Sequence, residues 1–314
     1  MTPTRRQVLR LAQVALVLQV LLVASGTAVR VTGSGLGCPT WPRCSGGSLV
    51  NTPALGAHGS IEFANRLLAV VLELVGIALV IAVLRLRPRA GRAWTRLALV
   101  QAMVVPLQAL VGGVLVLTHL NPYVLIAHFL FSFPLIAAAA ALVQRVHEGD
   151  AAREPLVRAE LRWLTRALVA CSGIVLVAGT LVTGTGPHAG DPRVPRLPFS
   201  PREVTQLHAD LVFLLVGLTA ATAVAAGALD APDAVRRGAR ALVMLIVAQA
   251  GLGYWQYVVG VPPVLVVLHV LGASLVFTIA VRAHLATVGR PGGPPPQRSA
   301  PPPLTQTAET LTAR

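Results

Sequence analysis

The amino-acid sequence predicts an all-α integral membrane protein whose eight transmembrane helices form two pseudo-symmetric four-helix bundles. Three observations favour this fold class: the composition, the number of long apolar segments, and a polar pattern that occurs twice. Hydrophobic residues make up 54% of the 314 residues and charged residues only 12%. This composition provides too little polar surface to cover a soluble domain of that size, so we expect the chain to lie in a lipid bilayer.

Eight apolar segments are long enough to cross a membrane. A hydrocarbon core requires about twenty consecutive apolar residues in a helix. Segments of this kind, numbered here as spans one to eight, lie near residues 9–30, 62–84, 96–118, 122–144, 163–185, 205–228, 239–260 and 264–287.

The arginines indicate how these spans are oriented. All 26 basic residues are arginine, and 20 of them lie at the N-terminus, in every second loop, or from Arg282 onward. Because basic residues accumulate on the cytoplasmic side, we expect both termini in the cytoplasm and a location in the plasma membrane. The loops around 31–61, 119–121, 186–204 and 260–263 are expected outside. The net charge of +14 thus reflects orientation, and we expect no nucleic-acid partner.

A repeated polar pattern divides the eight spans into two halves. Gln108 precedes His128 by twenty residues, and Gln249 precedes His269 by the same interval. Other special residues also correspond: Gly112 with Gly253, Pro122 with Pro263, and TGSG at 32–35 with TGTG at 183–186. The pattern predicts a duplicated membrane bundle built around histidines.

The repeat gives the predicted domain boundaries. Residues 1–146 are expected to form the N-terminal four-helix bundle and residues 147–288 the C-terminal one. Residues 289–314 contain seven prolines and few apolar side chains, a composition typical of disorder, so we expect a disordered cytoplasmic tail.

Four polar residues lie near the outer ends of the even-numbered spans. They are Asn65, His128, His208 and His269. Two imidazoles on facing helices can coordinate one haem iron from both sides, and the C-terminal pair, His208 and His269, supplies both. The alternative is hydrogen bonding between helices, but the repeat favours haem. Zinc is disfavoured because neither half offers three or four closely spaced ligands.

The N-terminal half differs from the C-terminal half at two positions. Asn65 stands where a second histidine would be expected, and Glu62 precedes it by one helical turn. A carboxylate at that depth could act as a base or stabilise positive charge on a substrate. It could equally form an ion pair with Arg66, its i+4 neighbour. The residues alone leave both interpretations open.

Two cysteines lie in the first external loop, within GCPTWPRC. In an oxidising compartment Cys38 and Cys44 are expected to form a disulfide. A bridge across so short a loop gains comparatively little chain entropy. A redox role, a local clamp and an ordinary structural bridge all remain open.

The order and spacing of several segments resemble the haem A synthase family over roughly residues 10–288. The segments are VRVTGSGLGCPTWPRC, IEFANRLLA, LNPYVLIAH, TGTGPHAGD, LHADLVF and PPVLVVLH. The resemblance implies an oxidoreductase that converts the C8 methyl of haem O to the formyl of haem A, for cytochrome c oxidase.

The resemblance also implies roles for particular residues. His208 and His269 would bind the iron of a resident haem b near the outer leaflet. His128 would bind the substrate haem O, with Asn65 on the same side as a weak contact. Glu62 matches the catalytic carboxylate of the family. Many members have histidine where this chain has Asn65, so the substrate iron is expected to have His128 alone, or a weak second ligand.

The resemblance implies partners, and the histidines also fit other classes of protein. Haem O synthase and cytochrome c oxidase assembly factors are partners by resemblance, and the oligomeric state is left open. Two other classes of protein fit the histidines: a non-enzymatic membrane b-type cytochrome and a haem carrier. Glu62 and the asymmetric Asn65 favour the enzyme over both.

Overall fold

The computed structural model describes residues 3–86, 91–149, 153–188 and 194–290, which are folded mostly as long helices. The helices are α1 Arg5–Val31, α2 Gly56–Arg85 with a preceding 3-10 turn Pro53–Leu55, α3 Arg92–Leu117, α4 Pro122–Leu130, α5 Ser132–Glu148, α6 Ala159–Thr185, α7 Pro201–Ala228, α8 Asp233–Val258 and α9 Pro263–Leu285. Two short strands, β1 Glu154–Pro155 and β2 Val288–Gly289, pair antiparallel. Most of the predicted tail, from residue 291 onward, lies outside the described residues.

All eight predicted spans are present, so the chain is an all-α, multi-pass membrane protein. Eight helical segments within the described residues are long and apolar enough to cross a membrane, with α4 and α5 together forming the fourth. Most helices extend beyond the apolar runs; α8, for example, begins at Asp233, whereas the run begins near residue 239. Such helix ends can project into the polar headgroup region, which an apolar-run criterion excludes.

The fourth span is broken just below its histidine. α4 ends at Leu130, Phe131 lies between the helices, and α5 begins at Ser132. Pro134, the third residue of α5, has no N–H to donate to the carbonyl of Leu130, and its ring crowds that turn. His128 therefore lies on a helix of only nine residues.

The prolines and caps of the even-numbered spans agree with their predicted starts. Pro122 and Pro263 are the first residues of α4 and α9, where a missing N–H costs nothing. The Asn121 side chain caps α4 by accepting hydrogen bonds from the N–H groups of Tyr123 and Val124, at 3.0 and 3.4 Å. The histidines thus lie about two turns inside their helices.

Helix packing follows chain order within each half. α1 packs on α2, α2 on α3 and α3 on α5, and α5 returns to α1; α6, α7, α8 and α9 pack in the corresponding order. The halves meet where α9 packs on α1 and α5 and where α4 packs on α6. Phe133 of α5 and Phe277 of α9 lie edge to face at this junction, with ring centroids 5.4 Å apart. The predicted pseudo-symmetry and domain boundaries remain predictions.

Candidate functional site

The two C-terminal histidines meet in the second half. His208 of α7 and His269 of α9 have ring centroids 6.5 Å apart and ring planes inclined at 68°. A metal–nitrogen bond of about 2 Å, with roughly 1 Å from ring nitrogen to centroid, would place two imidazoles sharing one iron about 6 Å apart. The observed separation therefore suits one iron held between the rings.

Glycines on the neighbouring helices make room for these rings. A Cβ atom at Gly179 of α6 would lie 3.4 Å from Cε1 of His208, and one at Gly253 of α8 would lie 3.1 Å from Cε1 of His269. All four helices thus contribute to one pocket, two with imidazoles and two with bare backbone. A Cβ at Gly253 would be tight against its ring, whereas one at Gly179 would make ordinary contact, so glycine matters more at position 253.

Gln249 positions the ring of His269. Its amide Nε2 lies 3.0 Å from Nδ1 of His269 and donates a hydrogen bond of 2.5 Å to the His269 backbone carbonyl. A contact on Nδ1 fixes the ring orientation and leaves Nε2 as the nitrogen available to a metal. If Nε2 of His269 binds a metal, Nδ1 carries the ring proton and donates, so the amide oxygen of Gln249 must then face it.

The donor set points to haem iron rather than to a bare metal ion. Across the described ranges, no group of three or more His, Cys, Asp or Glu side chains is close enough to hold an ion. Two imidazoles alone are an incomplete set for zinc, whereas a porphyrin supplies the remaining four nitrogens to iron. The residues present therefore fit a haem held between α7 and α9.

His128 occupies the same kind of setting in the first half. A Cβ at Gly112 of α3 would lie 3.3 Å from its Cε1, and Gln108 donates to its backbone carbonyl at 3.0 Å. Its Nδ1 is buried and has no hydrogen-bond partner within the described part of the chain. The glutamine, glycine and histidine that repeat in the sequence thus make the same kinds of contact in both halves.

Asn65 of α2 is held by α1 instead of facing a second imidazole. Its Oδ1 lies 2.6 Å from Oγ of Ser25, which is also 3.0 Å from the Leu22 carbonyl. One hydroxyl hydrogen cannot serve both acceptors. Exchanging the amide atoms satisfies both, because Ser25 then donates to Leu22 and accepts from Nδ2 of Asn65.

Glu62 lies almost fully buried in an ion pair. Arg66 donates to Oε1 of Glu62 through Nη2 at 2.5 Å and Nε at 3.1 Å, so the i+4 pairing considered from the sequence is present. The backbone N–H of Cys38 donates to the other oxygen, Oε2, at 2.7 Å. The carboxylate is therefore fixed on one side by its own helix and on the other by the external loop.

The external loop contains the expected disulfide. Cys38 and Cys44 are bonded and fully buried. Arg66 donates to the loop carbonyls of Cys38, Thr40 and Arg43 at 3.1, 3.2 and 3.2 Å. The ion pair and the disulfide thus hold the same loop.

The loop also reaches the helix against which His128 packs. The indole of Trp41 lies so close to Gly113 of α3 that a Cβ there would be 2.5 Å from it. The preceding residue, Gly112, faces the ring of His128. The disulfide loop, which bonds to Glu62, thus packs on α3 one residue from the glycine that faces His128.

Two charged residues of note were missed by sequence reasoning. Arg30, near the end of α1, has Nε and Nη2 buried without a hydrogen-bond partner among the described residues. Glu73 lies three turns after Glu62 on α2, and its Oε2 is likewise buried without a hydrogen-bond partner among the described residues. An ionisable residue within a span is a functional candidate by default, and that signal was available for both.

The chain matches known proteins along most of its length. The chain matches the family model COX15-CtaA, described as cytochrome oxidase assembly protein, over residues 9–281. It is 30% identical over 182 residues to a heme A synthase of Lysinibacillus sphaericus (strain C3-41), covering 55% of this chain and 57% of the relative.

Other curated relatives have the same name. A heme A synthase of Listeria welshimeri is 30% identical over 167 residues, covering 52% of this chain and 54% of the relative. A heme A synthase of Geobacillus thermodenitrificans is 31% identical over 114 residues, covering 35% and 34%. The chain thus spans little more than half the length of the first two relatives.

Proposed function

The chain belongs to the COX15-CtaA family of cytochrome oxidase assembly proteins, and from this premise we propose that it is a haem A synthase. It would oxidise the C8 methyl group of haem O to the formyl group of haem A, as a membrane oxidoreductase. The observation that carries the proposal is the unequal pair of histidine sites. One half offers two imidazoles 6.5 Å apart, and the other offers one, His128, together with the buried carboxylate of Glu62.

The second half is proposed to hold the resident cofactor. His208 and His269 would bind the iron of haem b from opposite sides, with Gln249 orienting the ring of His269. When bound, this haem supplies single-electron transfer. The surrounding leucine and valine side chains would cover the porphyrin and exclude water, which suits a group that stays in place.

The first half is proposed to receive haem O, with His128 as its protein ligand. Asn65 provides no second imidazole, and its side chain is occupied by Ser25. A single strong ligand leaves the other side of the substrate iron weakly held. Such binding suits a substrate that must enter and a product that must leave.

Glu62 is proposed as the catalytic carboxylate. With water as the source of oxygen, conversion of methyl to hydroxymethyl releases two electrons and two protons, and conversion of hydroxymethyl to the hydrated formyl releases two more of each. A one-electron acceptor outside the chain would take the electrons, and loss of water then gives the formyl group. Each oxidation also releases protons, so a fixed carboxylate can accept one or stabilise positive charge. Arg66 and the Cys38 N–H orient Glu62 for this role.

The orientation proposed for the molecule follows the arginine distribution. Both termini would lie in the cytoplasm, and the histidines would lie toward the outer leaflet of the plasma membrane. Haem O synthase would supply the substrate, and cytochrome c oxidase assembly factors would receive the product.

The test is to co-express the chain with a haem O synthase in a host that lacks haem A, and to identify the extracted haems by chromatography and mass. We expect haem A, or its hydroxymethyl precursor, together with haem B. Haem B alone, despite available haem O, would refute the enzyme and favour a non-enzymatic b-type cytochrome. Reversible binding of haem without redox turnover would instead indicate a carrier.

A further inference from the structure

Arg30 has two buried guanidinium nitrogens without a partner in the part of the chain that the structure describes. It is the next-to-last residue of α1, at the end predicted to face outward, and its Nε and Nη2 atoms are buried with no hydrogen-bond acceptor in the described part of the chain. A guanidinium stays charged at physiological pH. Buried charges are ordinarily paired because leaving water is costly for them, so this geometry calls for an anion.

The two unpartnered atoms specify the shape of that anion. Nε and Nη2 form one edge of the guanidinium, and their N–H groups point the same way. This edge matches the two oxygens of a carboxylate or phosphate in a bidentate contact. A single carbonyl or hydroxyl group would satisfy only one of the two donors.

A second arginine belongs to the same outer region. Leu36, six residues after Arg30, packs against the cluster that contains Val194, two residues before Arg196. Arg196 is exposed and its charge acts on Arg30, so an anion bound near both would gain from both. Arg30 therefore has a nearby cation and, among the described residues, no carboxylate to pair with.

The arginine pair lies over the half that contains His128. Val194, two residues before Arg196, packs with Leu115 and Leu120 at the end of α3. Side chains at Val124 and Leu125 of α4, one turn before His128, pack against the same cluster. The segment that contains Arg196 thus covers the outer end of the first half.

We propose that Arg30 and Arg196 form a carboxylate-binding pair that receives a propionate of the substrate haem. The proposal rests on the function proposed above, and it deepens that function by naming the groups that recognise the polar edge of the substrate. Haem O has carboxylates at one edge only. Holding that edge at the outer end of α1 would orient the rest of the ring toward the apolar interior and His128.

The test compares haem O with its propionate dimethyl ester. Full-length protein containing its resident haem, in neutral detergent, is titrated with each and followed by visible absorbance. We expect Arg30→Gln to weaken binding of haem O about tenfold to a hundredfold, as loss of a charge-assisted contact does. The ester should bind wild type and variant equally. Arg196→Gln should weaken haem O binding about threefold, since the residue is exposed.

Two further variants distinguish loss of carboxylate binding from a general effect on the protein's structure. Arg202→Gln removes an exposed arginine predicted to lie on the same side and should change neither affinity. Arg30→Lys keeps the charge but loses the bidentate edge, so it should bind haem O about tenfold more weakly and the ester normally. An unchanged resident-haem spectrum shows that each variant is folded.

Several outcomes would overturn the proposal. Equal affinity of wild type and Arg30→Gln for haem O would remove Arg30 from binding, and equal losses with haem O and its ester would assign Arg30 to folding. If Arg30→Gln loses binding of phosphatidylglycerol but binds haem O with wild-type affinity, the anion is a lipid phosphate. The assay measures binding and needs no turnover. Arg30 and Arg196 can therefore prove irrelevant to binding in a protein that forms haem A, and they can bind haem O in a protein that forms none.

Discussion

The two halves of the molecule share the contacts around one histidine each and differ in the residues that accompany it. In each half a glutamine bonds to the backbone of a histidine twenty residues later, and a glycine on the adjacent helix faces that ring. The second half adds another imidazole, His208, at 6.5 Å. The first half has Asn65 tied to α1 and a carboxylate tied to a disulfide loop. Under the function proposed above, changing one ligand and adding one loop would separate permanent binding from exchange.

The strongest test of this contrast removes an imidazole from the second half. We expect His269→Ala to lose essentially all resident haem, because one remaining imidazole in an apolar pocket cannot hold the iron from both sides. Haem content per chain, measured by absorbance of the purified protein, checks this. Asn65→Ala serves as the counterpart in the first half and should retain the resident haem. Full haem content in His269→Ala would place the cofactor elsewhere.

The next test asks whether chemistry is confined to the first half. Glu62→Gln should lower haem A formation at least about a hundredfold, the range for loss of a positioned acid or base, while the haem b spectrum is unchanged. Product is measured by chromatography of extracted haems. Glu203→Gln, an exposed carboxylate at the start of α7, is the control and should remain active. A fully active Glu62→Gln enzyme would leave Glu62 with only its role in holding the loop.

A third experiment makes the first half resemble the second. Asn65→His should supply the missing imidazole and convert the substrate iron to a six-coordinate, low-spin state. We expect bound haem O to dissociate about tenfold more slowly, with lower turnover because product release slows. Optical spectra and stopped-flow dissociation measure both effects. An unchanged spectrum would mean that the side chain at position 65 does not reach the iron.

The smallest effects are expected at the glycines. Gly253→Ala places a methyl 3.1 Å from the ring of His269, whereas Gly179→Ala places one at 3.4 Å from His208. We expect the first to destabilise the haem-bound form by about 1 kcal/mol and the second by less, since over-packing costs grow as contacts tighten. Thermal unfolding followed at the haem absorbance measures the order. The reverse order would show that the ring of His269 moves more easily than that of His208.

Sequence reasoning was most successful where one residue type decides the outcome. Eight spans follow from apolar length alone, and the starts at Pro122 and Pro263 follow from a missing N–H. Helical spacing offered the Glu62–Arg66 pair as one of two open interpretations, and the pair is present. The break at Phe131 was missed because an apolar run shows no interruption there, although Pro134 is the physical cause.

Contacts between distant segments could not be predicted in the same way. The hydrogen bond from Cys38 to Glu62 and the one between Ser25 and Asn65 depend on how helices and loops pack. The burial of two Arg30 nitrogens likewise follows from their surroundings in the folded chain, and the charge of Arg196, which acts on Arg30, comes from the segment between α6 and α7. The spacing of residues in the sequence predicts which of them share a helix face, but the packing of helices and loops decides which of them have partners.

The interruption of the fourth span gives the two halves different ligand helices. His269 lies within α9, a continuous helix of 23 residues whose Phe277 is buried in the core. His128 lies on a nine-residue helix that Phe131 separates from α5, and Phe133 of α5 is buried in the same core. The helix that carries His128 thus ends two residues after it, whereas α9 continues for sixteen residues beyond His269.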